Sequence, residues 1–147
     1  MASIKYILLV LRHKWYVLTF GLKVGGIPIW RLLVHDFSKF SRAEFPAYRR
    51  RYFEGGVSRE VWERAWRHHW THNPHHWEYW VHKSGPMPMP EKFAREMFAD
   101  WMAANRVYEG VSLQEWLDKN FVRMRLHPET VAVLHRIMPA HGLRIPV

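Results

Sequence analysis

Apolar residues recur at the spacing of an α-helix along most of this sequence, and that periodicity constrains the fold more than any other feature. In the first segment, residues 4 to 24, apolar positions three and four apart place one stripe on one helical face. That stripe consists of Tyr6, Leu9, Val10, His13, Val17, Phe20 and Val24. No alternating strand pattern of any length and no internal repeat accompanies it. The sequence therefore predicts an all-α fold.

Glycine, proline and capping residues divide the chain into six or seven predicted helices. The second helix carries Ile29, Leu32, Leu33 and Asp36 on one stripe. The predicted boundaries are Gly25-Gly26, Pro28, a capping box of Ser41 and Glu44 that opens a third helix ending near Phe53, Gly55-Gly56, a Ser58 cap, Pro74, a second capping box of Ser112 and Glu115, and Pro128 before a last helix. A length of 147 residues fits one domain, so residues 1–147 are predicted to form a single compact helical domain.

Four of these apolar stripes each contain one ionisable residue. They are His13 on the first, Asp36 on the second, His69 on the fourth and Asp100 on the fifth. Burying such groups is costly unless they are paired or bind a metal. Because four separate helices each aim one of them inward, we expect these residues to meet in a common functional site.

The residue types around these positions are those of metal ligands. His35 precedes Asp36, so one metal ion could bind both while the carboxylate bridges to another. Residues 68 to 76 contain five histidines, and the chain has no cysteine. Imidazole and carboxylate suit Fe, Mn, Zn, Co or Ni, so one or two divalent transition metal ions are predicted. Helical phase favours His69 over His68, whereas the choice between His75 and His76 stays open.

The order of these residues resembles the HD superfamily of metal-dependent phosphohydrolases, which carry H…HD…H…H…D on successive helices. The segment HDFSKF, residues 35 to 40, looks like the HD-x-(G/S)-K motif of HD-GYP phosphodiesterases. The doubled His75-His76 is similar to a doubled histidine in that group. The patterns HDFSKFSRAEF, NPHHWEYW and EMFADW also resemble a small uncharacterised family of bacteria and phages across nearly the whole chain. The first resemblance implies an HD-like helical domain.

The HD resemblance also implies a role for each residue. It assigns the metal ligands His13, His35, Asp36 and Asp100 to one ion, and Asp36, His69 and His75 or His76 to a second. Metal-activated water would then hydrolyse a nucleotide or related phosphoester, with Asp36 and Lys39 as catalytic residues. Lys39 would also bind a substrate phosphate, helped by Arg12, Lys14 and Arg67.

Charge and aromatic content agree with a small phosphorylated substrate. The net charge is +9, which favours an anionic partner. Trp77 belongs to an aromatic group that could stack a nucleobase. That group also contains Trp70, Tyr79 and Trp80.

Two other functions stay open at this point. Some HD proteins use the same ligand layout for a di-iron oxygenase, and a basic helical module could instead bind nucleic acid without catalysis. No apolar run approaches the roughly 20 residues of a membrane span, and no signal-like cleavage site follows one, so a cytoplasmic location is predicted. Membrane-surface contact by the first, basic helix is a further alternative.

Overall fold

The computed structural model describes residues 1–108 and 110–146, in which seven α-helices account for most of the regular structure. These helices are α1 Ala2–Val24, α2 Ile29–Val34, α3 Phe45–Phe53, α4 Arg59–His72, α5 Glu91–Tyr108, α6 Leu113–Asn120 and α7 Pro128–Ile137. Short 3₁₀ helices cover Phe37–Phe40, Trp77–Trp80, Phe121–Arg123 and Met138–His141. Two two-residue strands, β1 Val81–His82 and β2 Gly85–Pro86, pair antiparallel. The predicted all-α fold is confirmed.

Helix α1 is the central element, because it packs against α5 along much of its length and also contacts α2 and α3. It joins two hydrophobic clusters. Val10 lies in the smaller cluster with residues of α3 and α4, whereas Val17 lies in the larger cluster with residues of α5, α6 and α7. His13 lies between these two valines on the same buried face, so the packing places its imidazole where the clusters meet.

Helix α2 is held closely against α1 by a small residue and a lysine. A side chain at Gly21 would overlap Leu32, since a Cβ there would lie 2.4 Å from Leu32 Cδ2. Lys14 Nζ donates hydrogen bonds to the carbonyl oxygens of Leu33 and His35, which satisfies acceptors at the end of α2. These contacts fix the position of His35 and Asp36 directly after the helix.

The predicted stripe on the second helix is wrong. Helix α2 ends at Val34, and Ile29 and Leu33 are exposed, so only Leu32 of the proposed stripe is buried within the helix. Asp36 lies beyond the helix at φ 56°, ψ 21°. Helical phase cannot extend through this left-handed residue. Aspartate tolerates this conformation better than most residues do.

The capping box predicted at Ser41 and Glu44 is also wrong, although α3 does end at Phe53. The helix begins at Phe45, and no side chain caps its N-terminus. The Glu44 carboxylate instead binds two histidines of α4. A charged acceptor that can reach two imidazoles makes stronger hydrogen bonds there than at a solvated helix end.

Other predicted boundaries are confirmed. Ser58 accepts a hydrogen bond from the Val61 amide, and Ser112 forms a complete capping box with Glu115. Pro128 is the first residue of α7. Among the described residues, no helix combines the length and apolar character needed to cross a membrane.

Candidate metal centre

Asp36 is at the middle of a buried cluster of histidines and carboxylates. Its left-handed backbone conformation is the only positive φ among the described non-glycine residues. Such conformations cost roughly 1–3 kcal/mol and are concentrated at functional sites. The side chain is 1% exposed, and its two oxygens face different sets of imidazoles. One carboxylate therefore connects two groups of potential ligands.

The first group gathers ligands from α1, α5 and the segment after α2. It consists of His13, His35, Asp36 and Asp100. Asp36 Oδ2 lies 3.5 Å from His13 Nε2 and 3.6 Å from His35 Nε2. Asp100 Oδ1 lies 2.9 Å from His13 Nε2 and 3.4 Å from His35 Nε2. The structure thus brings together all four residues that were predicted to share one ion.

The second group lies on the other side of Asp36. It consists of Asp36, His69, His75 and His76. Asp36 Oδ1 lies 3.3 Å from His69 Nε2 and 3.4 Å from His75 Nε2. His76 Nε2 lies 2.9 Å from His69 Nε2. Both members of the doubled pair therefore belong to this group, and His69 belongs to it while His68 does not.

The separations of the contacting atom pairs within both groups match those between ligands of one metal ion. Two donor atoms each about 2.1 Å from a shared ion lie about 3.0 Å apart at an octahedral edge and about 3.4 Å at a tetrahedral one. The distances between paired atoms in the two groups run from 2.9 to 3.6 Å. These residues therefore fit a metal by donor type and by spacing.

A carboxylate on α5 hydrogen-bonds one imidazole of the cluster and lies beside a second. Glu96 Oε1 accepts a hydrogen bond from His35 Nδ1 at 3.0 Å and lies 3.4 Å from His75 Nδ1. Arg31 donates to the same carboxylate from Nε at 3.0 Å and from its terminal nitrogen at 3.1 Å. Since an ionised carboxylate only accepts, His35 Nδ1 carries a proton, and in the neutral ring the Nε2 lone pair then faces Asp36.

Glu44 is the carboxylate that hydrogen-bonds an imidazole of the second group. Its Oε2 accepts from His69 Nδ1 at 2.8 Å, and its Oε1 accepts from His68 Nδ1 at 2.7 Å. Asn73 closes this side, because its amide donates to the His69 carbonyl at 2.7 Å and to Ser38 Oγ at 2.8 Å. The His69 Nε2 lone pair is consequently fixed toward Asp36 Oδ1 and His76.

The interior of the cluster contains buried polar atoms that have no hydrogen-bond partner. The Nε2 atoms of His35 and His75 and Asp36 Oδ1 are buried without a hydrogen-bond partner in the structure. Buried polar atoms are nearly always satisfied, and lone pairs that face one another repel. A cation between them removes both penalties. These buried atoms without partners are the structural observation that tests whether the residues fit a metal, and their positions agree with a bound cation.

The charge balance of the cluster also favours bound cations. Four carboxylates, those of Asp36, Glu44, Glu96 and Asp100, surround the imidazoles, and two permanent cations, Arg31 and Lys39, pair with them. The difference is two uncompensated negative charges if the histidines are neutral. With neutral histidines, a chain whose net charge is +9 would therefore have a negative interior at this point.

The pKa values respond to this environment. Burial opposes the charge on Asp36, yet Lys39 and His35 hold its pKa well below the ordinary value. Burial likewise opposes the charge on His13, but hydrogen bonding to Asp100 and Asp36 raises the pKa of this histidine. For His76, burial and the neighbouring His75 and His69 keep the pKa well below its usual range. The carboxylates stay ionised and attract cations, which is the electrostatic condition for metal binding.

Lys39, three residues after Asp36, lies next to its carboxylate. Its side chain is 11% exposed and its Nζ pairs with Asp36 Oδ2. Burial works against the charge, but Asp36 raises the pKa of Lys39 well above the ordinary value, so it remains a cation.

The other proposed substrate contacts are further from the cluster. Arg12 is exposed and lines a surface groove with Asn105 and Arg106. Arg67 is exposed on α4 and lines another groove beside His68. Trp77 is half-buried and packs against the larger hydrophobic cluster. Their binding roles stay predictions.

The residue that sequence reasoning missed is Glu44. In the sequence, Glu44 is a carboxylate in a segment with few acids. The capping box predicted with Ser41 already explained its presence, so no other role was considered. Glu96 was not among the predicted metal ligands, and the structure shows it fully buried on α5 between His35 and His75. It is one turn before Asp100, so helical spacing predicts that both face the same side.

Replacing Glu96 with glutamine should weaken metal binding by about 10- to 100-fold, because an amide cannot accept from both imidazoles and Arg31 at full charge. Competition titration against a chromophoric chelator measures the change. Glu63→Gln, an exposed acid on α4 paired with Arg59, is the control and should bind metal like the parent. Equal affinity in Glu96→Gln would show that Glu96 does not orient the ligands.

The fold and the cluster define an all-α protein with a buried histidine and carboxylate centre suited to divalent metal. Residues 2–140 match a family described as "Family of unknown function (DUF5662)", and the chain belongs to this family. No curated protein and no solved structure matched the chain. The resemblance to the HD superfamily stays a prediction.

Proposed function

We propose that this protein is a metal-dependent phosphohydrolase that acts on a nucleotide or related phosphoester. The observation that carries the proposal is the position of Asp36, whose two carboxylate oxygens face two separate sets of ligands. A carboxylate placed between two cations holds them close enough to act on one phosphoryl group. The HD-like order of the ligands supports the same assignment.

The chain's own residues supply holding, orientation and charge. Metal ions bound here would lower the pKa of water and stabilise the negative charge that develops on phosphoryl oxygens. Glu96 and Glu44 fix the imidazole tautomers that such ions require. Lys39 places a permanent positive charge beside Asp36. From there its ammonium group can leave the Asp36 carboxylate and bind a substrate phosphate instead.

Aromatic side chains at the edge of the centre favour a nucleotide over a simple phosphate ester. The Tyr108 ring lies 6.5 Å from the His13 ring and stacks on Tyr52 at 5.6 Å. Both tyrosines are about two-fifths exposed, at 42% and 41%. They offer a flat apolar surface to a base whose phosphate reaches the metals. The cytoplasmic location predicted from the sequence is part of this proposal.

The proposal is tested by turnover of the metal-loaded protein in the absence of oxygen. The substrates are bis-p-nitrophenyl phosphate, p-nitrophenyl phosphate and nucleoside mono-, di- and triphosphates, with Fe, Mn, Zn, Co and Ni each loaded separately. We expect phosphate release that a chelator abolishes. Oxygen-dependent turnover with iron alone would instead establish the di-iron oxygenase.

Replacing Lys39 with methionine should lower kcat/KM by about 10²-fold, because one charge that stabilises the phosphoryl oxygens is lost. Metal content should be unchanged, since Lys39 is not a ligand. Phosphate release and elemental analysis of the same sample separate the two effects. Lys119→Met, at an exposed position of α6, is the control. Full activity in Lys39→Met would remove the lysine from the mechanism.

A further inference from the structure

Helix α1 exposes a second apolar stripe on the side away from the core. Its members recur three and four residues apart along the helix, so they share one face. They are Ile4 at 65% exposure, Ile7 at 36%, Leu8 at 60%, Leu11 at 49%, Trp15 at 62% and Leu22 at 57%. His13 projects from the opposite side of α1, into the metal centre. The stripe is therefore separate from the site described above.

The apolar surface continues onto α2 and the turn after it. Ile29, Trp30, Leu33, Val34 and Phe37 are each between 47% and 68% exposed. Lys14 joins α1 to the end of α2 through the Leu33 and His35 carbonyls, so the two sets adjoin. With 150–250 Å² per aromatic side chain, Trp15, Trp30 and Phe37 alone expose on the order of 300–450 Å². This already reaches the size of the largest patch on a typical monomer.

The residues that border this surface are basic. Lys5, Arg12 and Lys23 are exposed along one flank of α1, at positions seven and eleven residues apart that return to the same side. The first 43 residues contain a single acid, Asp36, and that residue is buried in the metal centre. The apolar face therefore has a positive border, and the first 43 residues supply no exposed acid to neutralise it.

We propose that the α1–α2 face binds the surface of a bilayer that contains anionic phospholipid. Helix α1, with 23 residues, is about 34 Å long and would lie in the plane of the interface. Leucine, isoleucine and tryptophan side chains enter the region between headgroups and acyl chains, while the lysines and arginine contact phosphates.

Charge complementarity selects this occupant over a second copy of the chain. An antiparallel symmetric dimer through the same face would place one basic border against the other, because a two-fold axis across α1 keeps both borders on the same side. Like charges in that arrangement repel, whereas anionic headgroups attract both borders. A bilayer also covers the apolar side chains of both helices at once, which suits a surface that extends from residue 4 to residue 37.

The test is co-sedimentation of the full chain with sucrose-loaded vesicles of phosphatidylcholine, with and without 30% phosphatidylglycerol. We expect binding to the anionic vesicles that weakens as salt increases. The double substitution Leu11→Ser with Trp15→Ser should lower the partition coefficient by more than about tenfold. Lys5→Gln with Lys23→Gln should reduce binding to anionic vesicles only.

The matched control is Met87→Ser with Val122→Ser, since these apolar side chains are 44% and 85% exposed and belong to neither α1 nor α2. This control should bind vesicles like the parent. Helical circular dichroism and metal content, unchanged in every variant, exclude misfolding as the cause of a loss. The proposal is overturned if the parent does not bind anionic vesicles. It is also overturned if Leu11→Ser with Trp15→Ser only converts a dimer into a monomer in sedimentation velocity.

Discussion

Replacing Asp36 with asparagine is expected to remove bound metal and to lower phosphohydrolase turnover by roughly 10³-fold or more. The amide keeps the size of the side chain and tolerates the left-handed backbone at φ 56°. What it loses is the negative charge and the second equivalent oxygen that face the two histidine groups. Because both groups share this side chain, a single substitution should disable both.

Elemental analysis and phosphate release measured on the same samples check this expectation. Asp118→Asn is the matched control, because Asp118 is an acid on α6 with 40% side-chain exposure and a surface partner in Arg144. The control should keep the metal content and turnover of the parent. An Asp36→Asn protein with full metal and full activity would place the ligands elsewhere.

Removing the metal should destabilise the fold strongly. Without cations, the cluster retains four carboxylates against two permanent cations and several buried lone pairs without donors. A ligand present at 1,000 times its dissociation constant adds about 4 kcal/mol to the free energy of unfolding. For a chain of this length, that corresponds to a loss of about 10 °C in Tm on chelation.

Thermal unfolding followed by circular dichroism, before and after dialysis against a chelator, measures the loss. Asp36→Asn serves as the control, since a protein that binds no metal should show the same Tm in both conditions. If the parent also has the same Tm before and after dialysis, the cluster is stabilised by its own protons and ion pairs. That result would contradict the metal assignment.

Local signals in the sequence identified most helices and several ligands. Apolar spacing placed His13 on the buried face of α1 and His69 on that of α4, and both are at most 2% exposed. An ionisable residue in an apolar stripe is informative because burial is costly without a partner. The capping box at Ser112 and the start of the last helix at Pro128 could also be predicted, since both depend on residues within one turn.

Features that depend on tertiary contacts could not be read in this way. Glu44 fits a local capping box, and only the packing of α3 against α4 brings its carboxylate to His68 and His69. The left-handed turn at Asp36 likewise results from where α2 is held against α1. Arg31 and Glu96 are 65 residues apart, so no local pattern links them.

The exposed stripe on α1 shows a second limit of prediction from sequence. Apolar residues occupy two faces of this helix; the predicted stripe that contains His13 faces the core, and no second stripe was predicted. The burial of Val10 and Val17 against the exposure of Leu11 and Trp15 is decided by where α3 and α5 pack. Sequence periodicity therefore found the helix but did not find its second surface.

The most direct test of the metal centre is elemental analysis of the purified, untagged protein with Asp36→Asn alongside. Two groups of ligands that share one carboxylate predict about two equivalents of transition metal in the parent and little in the variant. No bound metal in the parent, even after reconstitution with each candidate ion, would contradict the metal centre and the phosphohydrolase proposal together.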